Sequence, residues 1–175
     1  MSLAIEAPAP PFTLPDTDGT PTPLHDGDSA ATVVVFTCNH CPYALAWHDR
    51  LQAVGRDYED RGVRLLQINS NDAERYPRDS PEAMRARTDA GEFAGPYLYD
   101  ATQEVARAWG ATVTPDVYVL DADGRVVYHG APDADHGDES LAAAWLRDAL
   151  DDILAGRPVA RAETSPRGCS IKWRG

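Results

Sequence analysis

Cysteine, lysine and long apolar runs are all scarce in this sequence of 175 residues. Three cysteines are too few for the disulfide framework of a small secreted domain, and lysine occurs only at Lys172. No segment has the roughly 20 consecutive apolar residues that a membrane-spanning helix requires. The first residues carry neither the positive region nor the apolar core of a secretory signal. We therefore expect a cytoplasmic protein that has no membrane partner.

Acidic residues dominate the charge of the chain. Aspartate and glutamate together number 28 against 16 lysines and arginines, which gives a net charge of -12. A strongly acidic surface is repelled by nucleic acid and by anionic lipid, so the sequence argues against both as partners. The length fits a single domain over residues 1–175 that can bury a hydrophobic core without stabilising disulfides or metal ions.

Alternating strand and helix patterns predict an α/β fold with a central mixed sheet flanked by helices. The apolar, β-branched run from Ala31 to Thr37 predicts a central strand that is buried on both faces. Residues 42–61 carry apolar side chains at helical spacing, and residues 63–68 form a second apolar run. A strand, a helix and a second strand in this order indicate a parallel βαβ unit.

The second half of the chain is predicted to add a helical insert, a hairpin and a final helix. Ser80 is a suitable N-cap for the insert, because Pro81 then occupies the first helical position. Residues 117–129 alternate around a turn at residues 121–124, which predicts a β-hairpin. A final helix is expected from Glu139 to Leu154.

The motif Cys38-Asn39-His40-Cys41 lies where the first predicted strand passes into a helix. Two thiols at this spacing can close a disulfide, and the positively polarised start of a helix lowers the pKa of a thiol. We expect Cys38 to be the more exposed, helix-capping nucleophile and Cys41, one turn further in, to resolve the mixed disulfide. His40 is expected to stabilise the thiolate, although an incidental surface histidine is an alternative.

Other uses of this motif remain open. A Cys-x-x-Cys pair can be half of a zinc site, but zinc takes four ligands, and the sequence offers only Cys169 and five scattered histidines besides the pair. A metal-binding module is therefore kept as an alternative, and the preferred interpretation needs neither a metal nor an organic cofactor.

A second element precedes the predicted hairpin. Pro115 cannot donate a ladder hydrogen bond and marks the start of a strand, so an ordinary edge proline is one interpretation. Combined with the upstream dithiol and the order of elements, a cis-proline loop beside the dithiol becomes the preferred one. Thr114, the residue before it, would then offer backbone groups to an extended substrate.

The chain resembles the thioredoxin-fold superfamily, and more closely the redoxin-type branch grouped as alkyl hydroperoxide reductase and thiol-specific antioxidant proteins. Within that branch it is similar to a subfamily with CNHCPY and C-terminal GCSIKW motifs. The segments that carry the resemblance are Ala7–Pro15, Phe36–Tyr43, Ile68–Asp72, Tyr97–Asp100, Thr114–Asp116 and Gly168–Trp173.

The resemblance implies a thioredoxin-like fold with an N-terminal extension and a thiol–disulfide oxidoreductase activity. It implies a cis proline at Pro115, catalysis by Cys38, Cys41 and His40, and substrate contacts by Asn39, Thr114 and Pro115. The implied partner is a disulfide-containing protein or a small thiol.

Two departures from the resemblance bear on the chemistry. The buried acid that thioredoxin carries six residues before its first cysteine would fall at Thr32. Peroxiredoxins carry a Pro-x-x-x-Thr-x-x-Cys loop, and counting back from Cys38 places Val35 and Ala31 at the threonine and proline positions. The loop is also absent when counted from Cys41. A thiol peroxidase is therefore the second hypothesis.

Residues 157–175 are predicted to form an irregular C-terminal tail. Ile171 and Trp173 are unfavourable in water, so we expect the tail to pack against the domain. Cys169 also lies in this tail. One interpretation makes Cys169 an idle or structural thiol, and the other brings it within reach of the dithiol as a third redox thiol.

Overall fold

The computed structural model describes the whole chain from Met1 to Gly175. The strands are β1 (Thr13–Pro15), β2 (Pro21–Pro23), β3 (Ala31–Thr37), β4 (Val63–Asn69), β5 (Tyr97–Tyr99), β6 (Val113–Thr114), β7 (Asp116–Asp121), β8 (Val126–Gly130) and β9 (Cys169–Ser170). The helices are α1 (Pro42–Glu59), α2 (Pro81–Asp89), α3 (Glu104–Trp109) and α4 (Ala144–Leu154), with a 3-10 turn at Pro77–Asp79.

A central mixed sheet organises the molecule. Its strand order is β5-β4-β3-β7-β8, in which β3, β4 and β5 run parallel and β7 runs antiparallel to both β3 and β8. The crossover from β3 through α1 to β4 is the parallel βαβ unit that the sequence predicted. The α/β, thioredoxin-like architecture is confirmed, and the carboxyl ends of β3 and β4 meet at one edge of the sheet.

Hydrophobic cores form on both faces of the sheet, because β3 carries apolar side chains on both of its faces. Val33 and Val35 face α1 and α4, whereas Val34 and Phe36 point to the opposite side and pack with Trp109 of α3. Burying a side chain of this size contributes about 1.5–3 kcal/mol to the free energy of folding. Because burial on both faces is favourable, β3 lies in the middle of the sheet.

The final helix begins later than its sequence pattern predicts. The expected start at Glu139 is wrong, because α4 begins at Ala144. Ala143 has a φ of 59°, a left-handed conformation that a helix interior does not accommodate. The Asp133 carboxylate accepts the Ala143 backbone N–H at 2.9 Å and also the indole N–H of Trp47 at 2.8 Å. These contacts hold residues 134–142 as a loop.

Both ends of the chain lie on the face that α3 covers. Leu3 donates its backbone N–H to Trp109 at 3.2 Å near the N-terminus. At the other end, Ile171 is 3% exposed and belongs to the same core. None of the helices combines the length and the apolar character that crossing a bilayer requires.

Candidate active site

The two cysteines of the motif lie between the end of β3 and the start of α1. Cys41 is the N-cap of α1, with Pro42 at the first helical position. The expectation that Cys38 caps the helix is therefore wrong, since a proline at this position makes the preceding residue the cap. The expected exposure is wrong too, because Cys38 and Cys41 are both buried, at 2% and 0% exposure.

The two neighbouring thiols of the pair shift each other's pKa in opposite directions. Hydrogen bonding from Cys38 lowers the pKa of the Cys41 thiol to about 4, and the backbone N–H of Ala44 adds to this effect. The same sulfur–sulfur contact, burial and the Asp79 carboxylate raise the pKa of the Cys38 thiol. The pair therefore releases one proton readily and holds the second.

Thr114 contacts both sulfur atoms. Its hydroxyl oxygen lies 3.4 Å from the Cys38 Sγ, and the Cys41 Sγ donates to its carbonyl oxygen at 3.2 Å. The peptide bond between Thr114 and Pro115 is cis, and Pro115 stands between β6 and β7. The structure thus brings Thr114 and Pro115 to the dithiol.

His40 is held by the carboxylate of Asp79. The two side chains hydrogen bond through the Nδ1 atom of His40, and the His40 ring stacks on Tyr76 with ring centroids 5.4 Å apart. An ionised carboxylate only accepts hydrogen bonds, so Nδ1 carries the proton and Nε2 remains available. A ring nitrogen of His40 lies within 4.8 Å of the Cys38 sulfur. The arrangement is an acid–imidazole pair beside a thiol.

Asp79 is the site residue that sequence reasoning missed. Its buried carboxylate accepts the backbone N–H of Asn39 at 2.6 Å and the side-chain amides of Asn69 and Asn71, each at 3.0 Å. Together with His40, these donors supply four hydrogen bonds to two oxygens, which suits an ionised carboxylate. Asp79 lies far from the motif in sequence, and no local pattern marks it.

Asn39 points inward and is occupied by internal hydrogen bonds. Its side-chain amide donates to the carbonyl oxygen of Arg78 at 2.7 Å, and its Oδ1 accepts from Tyr97 and Arg87, each at 2.8 Å. Buried amides need such partners. Asn39 thus holds the motif loop against its surroundings, and the expected substrate contact by this residue stays a prediction.

Cys169 lies beside Cys41. The short strand β9 pairs antiparallel with β6, which places Cys169 directly opposite Thr114. The Cys169 side chain packs against the cluster that Cys38 and Cys41 form with Ala44. Burial and the neighbouring Cys41 sulfur raise the pKa of the Cys169 thiol to about 11. All three cysteines of the chain therefore form one cluster.

Cys38, His40 and Asp79 form a group whose candidate ligand atoms lie within 4.8 Å of one another. A structural zinc site takes four ligands with free lone pairs. The Asp79 oxygens already accept four hydrogen bonds, and Cys41 is turned toward the carbonyl oxygen of Thr114. The donor set therefore favours hydrogen bonding over metal ligation.

Comparison with known proteins places this site in a family. The model of the AhpC/TSA family matches residues 5–129. The crystal structure of an uncharacterized conserved protein from Geobacillus kaustophilus is similar along nearly the whole chain. It has a TM-score of 0.93 and 43% sequence identity, over 98% of this chain and 93% of that one.

Two curated relatives carry names that refer to redox chemistry. A Mycobacterium tuberculosis protein, provisionally named as a peroxiredoxin, is 29% identical over 136 residues, which cover 68% of this chain and 79% of the relative. The thiol:disulfide interchange protein DsbE of Allochromatium vinosum is 28% identical over 134 residues, which cover 71% of this chain and 65% of the relative.

Proposed function

This chain belongs to the AhpC/TSA family, and we propose that it acts as a thiol–disulfide oxidoreductase whose redox pair is Cys38 and Cys41. The observation that carries the proposal is the placement of two buried thiols at the start of α1, both in contact with Thr114 and one of them beside His40. The lowered pKa of the Cys41 thiol supports the proposal. The thiolate is the form that attacks a disulfide. The name of the DsbE relative supports redox chemistry of this kind.

In the proposed reaction, Cys38 gives its proton to His40 and then attacks one sulfur of a substrate disulfide as the thiolate. A mixed disulfide forms on Cys38, and the second substrate sulfur leaves as a thiolate. Cys41 then attacks the Cys38 sulfur and releases the first substrate sulfur. The substrate gains two electrons, and the protein keeps a disulfide between Cys38 and Cys41.

Cys38 is assigned the first attack because of its neighbours. Its sulfur adjoins the hydroxyl of Thr114 and a ring nitrogen of His40, whereas the Cys41 sulfur is turned toward a carbonyl oxygen. A histidine with an unprotonated ring nitrogen beside the reacting sulfur can accept the proton of the thiol and pass it to the departing thiolate. Asp79 is proposed as a positioning residue, because it fixes the orientation and the tautomer of that ring.

The proposed partner is a disulfide-containing protein or a small thiol. Thr114 contacts both sulfurs and Pro115 follows it, which supports contact between these residues and an extended substrate once β9, which pairs with Thr114, has moved aside. All three cysteines lie in this one cluster, which supports the cytoplasm as the proposed compartment, because reducing compartments disfavour structural disulfides elsewhere in a fold.

Reduction of insulin disulfides by dithiothreitol tests the proposed function. We expect the wild-type protein to accelerate the reaction and the Cys38→Ser variant to fall to the rate of dithiothreitol alone. The Cys41→Ser variant should instead accumulate a mixed disulfide between Cys38 and the substrate. Far-ultraviolet circular dichroism verifies that both variants are folded. Equal rates for the wild type and folded Cys38→Ser would exclude the proposal.

A thiol peroxidase is the second candidate. The name of the Mycobacterium tuberculosis relative favours it, and so does the Thr114 hydroxyl, which gives the Cys38 sulfur a donor although the peroxiredoxin loop is absent. This activity predicts rapid consumption of hydrogen peroxide and a sulfenic acid on Cys38 in the Cys41→Ser variant. Slow peroxide consumption together with rapid insulin reduction would favour the first candidate.

A further inference from the structure

The C-terminal strand β9 covers the buried dithiol. Ser170 lies opposite Val113 and Cys169 lies opposite Thr114, the residue that contacts both sulfur atoms of the pair. Because Cys38 is only 2% exposed, a reacting partner reaches it only from a segment that already lies beside it or after a segment has moved. β9 is such a segment.

The fit between β9 and β6 is close on the side that precedes Cys169. A Cβ atom on Gly168 would overlap the carbonyl oxygen of Thr114, so only glycine allows this approach. On the following side, Ile171 donates its backbone N–H to Thr112 at 2.8 Å. The position of Cys169 is therefore fixed from both directions.

Residues after β9 anchor the strand to the rest of the domain. The carbonyl oxygen of Lys172 accepts the Asp72 backbone N–H at 2.8 Å and the side-chain amide of Gln103 at 2.9 Å. The Lys172 backbone N–H donates to Asn71 at 2.8 Å. Asn71 also donates to Asp79, so the anchor of the tail and the support of His40 share one residue.

Cys169 and Ser170 present their side chains to opposite faces of β9. Successive side chains of a strand alternate, and Cys169 packs against the cluster of Cys38, Cys41 and Ala44 whereas Ser170 is exposed. The register of the two-residue ladder thus selects which of the two residues meets the dithiol.

We propose that Cys169 is a third redox thiol, which exchanges with the Cys38–Cys41 disulfide and forms a disulfide with Cys41. The proposal rests on the proposed function, because it starts from the oxidised dithiol. The thiolate of Cys169 attacks the Cys41 Sγ, the Cys38–Cys41 bond breaks as the Cys41–Cys169 bond forms, and Cys38 leaves with the electron pair as a thiolate. The proton of Cys169 goes to solvent, and no other oxidant is consumed.

Oxidation of the Cys38–Cys41 pair makes the Cys169 thiol easier to deprotonate. The Cys41 sulfur contributes to the raised pKa of the Cys169 thiol, and that contribution disappears once Cys41 is in a disulfide. The exchange returns Cys38 to the thiolate form and leaves a disulfide between Cys41 and Cys169. The three cysteines therefore form one disulfide, either between Cys38 and Cys41 or between Cys41 and Cys169.

The Cys38→Ser variant tests the proposal, because Cys41 and Cys169 are then the only thiols. After reduction, the variant is treated with glutathione disulfide, and free thiols are counted in denaturant before peptides are mapped under non-reducing conditions. We expect the count to fall from two to zero with a bridged peptide that contains both cysteines. Two thiols that each carry glutathione, without a bridged peptide, would overturn the proposal.

A matched control moves the thiol by one residue to the other face of the strand. The Cys38→Ser variant that also carries Cys169→Ser and Ser170→Cys keeps two thiols on the same segments. We expect bridging to Cys41 to be at least tenfold slower in this control, and equal bridging rates would overturn the assignment of the strand geometry. Oxidation of the Cys169→Ser variant reports the Cys38–Cys41 disulfide separately, so failure of the proposed function is distinguished from failure of this inference.

Discussion

At the residue scale, the site depends on a carboxylate that lies outside the cysteine motif. Asp79 accepts hydrogen bonds from the motif loop, from two asparagines and from His40. The buried acid that thioredoxin carries six residues before its first cysteine would fall at Thr32, whereas here Asp79 brings a buried carboxylate close to the dithiol from a different segment.

Replacing Asp79 by asparagine should destabilise the protein and slow its reaction. The amide cannot accept four hydrogen bonds, and a broken buried pair costs about 3–5 kcal/mol. Urea unfolding of the reduced protein measures the loss, and insulin reduction under native conditions measures the effect on rate. The exposed Asp60→Asn variant is the control and should change the free energy of unfolding by less than about 0.5 kcal/mol. Equal losses of unfolding free energy in the Asp79→Asn and Asp60→Asn variants would contradict the role of Asp79.

The ionisation of the dithiol predicts a pH dependence of stability. The folded-state pKa of Cys41, about 4, lies below its ordinary value of 9.0, so the folded state binds fewer protons between these pH values. Stability from this group should therefore be lost as pH falls through about 4 and be present as pH rises toward 9. Urea unfolding of the reduced wild type and of Cys41→Ser at several pH values measures this contribution as a difference. A difference that does not vary with pH would contradict the lowered pKa.

Sequence reasoning recovered the residues of the motif but not all of their surroundings. Two cysteines between a strand and a helix predict a reactive pair from local spacing alone. The position of the helix cap also has a local signal, because Pro42 makes Cys41 the cap. The buried acid has none, since Asp79 reaches the motif only through the packing of a polar segment between β4 and α2.

At the element scale, the pairing of β6 with β9 joins the tail to the active site. Gly168→Ala should separate the two strands, because the added methyl group would overlap Thr114. Overpacking of this kind costs about 1–3 kcal/mol. Amide hydrogen exchange should be at least tenfold faster at Ile171, whose N–H bonds Thr112 across this contact.

Gly137→Ala is the control for this change. A Cβ atom at Gly137 would lie 3.4 Å from the nearest atom, a side-chain oxygen of Asp135, and the φ of Gly137 is not positive. Exchange at Ile171 should match that of the wild type in this variant. Unchanged exchange in Gly168→Ala would show that the strand pairing does not depend on close approach.

Element boundaries were predictable where a local cap defined them. The Ser80 hydroxyl accepts the Ala83 backbone N–H at 3.1 Å, as its position before Pro81 predicted. The start of α4 was not predictable, because Asp133 stabilises a left-handed Ala143 through contacts that are distant in sequence. Apolar spacing alone extends the helix too far.

At the scale of the whole molecule, the tail completes one of the two cores. Ile171→Ala should lower the free energy of unfolding by about 2–5 kcal/mol, because Ile171 is buried with the residues on the α3 side of the sheet. Leu45→Ala, at a side chain that is 43% exposed, is the control and should cost less than about 0.5 kcal/mol. Urea unfolding compares the two, and similar small losses would show that the tail contributes no core packing.

The whole-molecule architecture was largely predictable because the order of strands and helices permits few topologies. A buried strand, a crossover helix and a hairpin determine a mixed sheet. The sequence alone allows two placements of Cys169, because nothing local in residues 157–175 indicates pairing with β6. That pairing arises from the fit of Gly168 against Thr114.

The most direct test of the central claim is a redox titration of the Cys169→Ser variant against glutathione. The Cys38–Cys41 pair should convert between dithiol and disulfide in one two-electron transition, at a potential between about -120 and -270 mV. Peptide mapping should find the Cys38–Cys41 bridge on the oxidised side of that transition. Two free thiols at every ratio of glutathione to glutathione disulfide would contradict the claim that these cysteines are a redox pair.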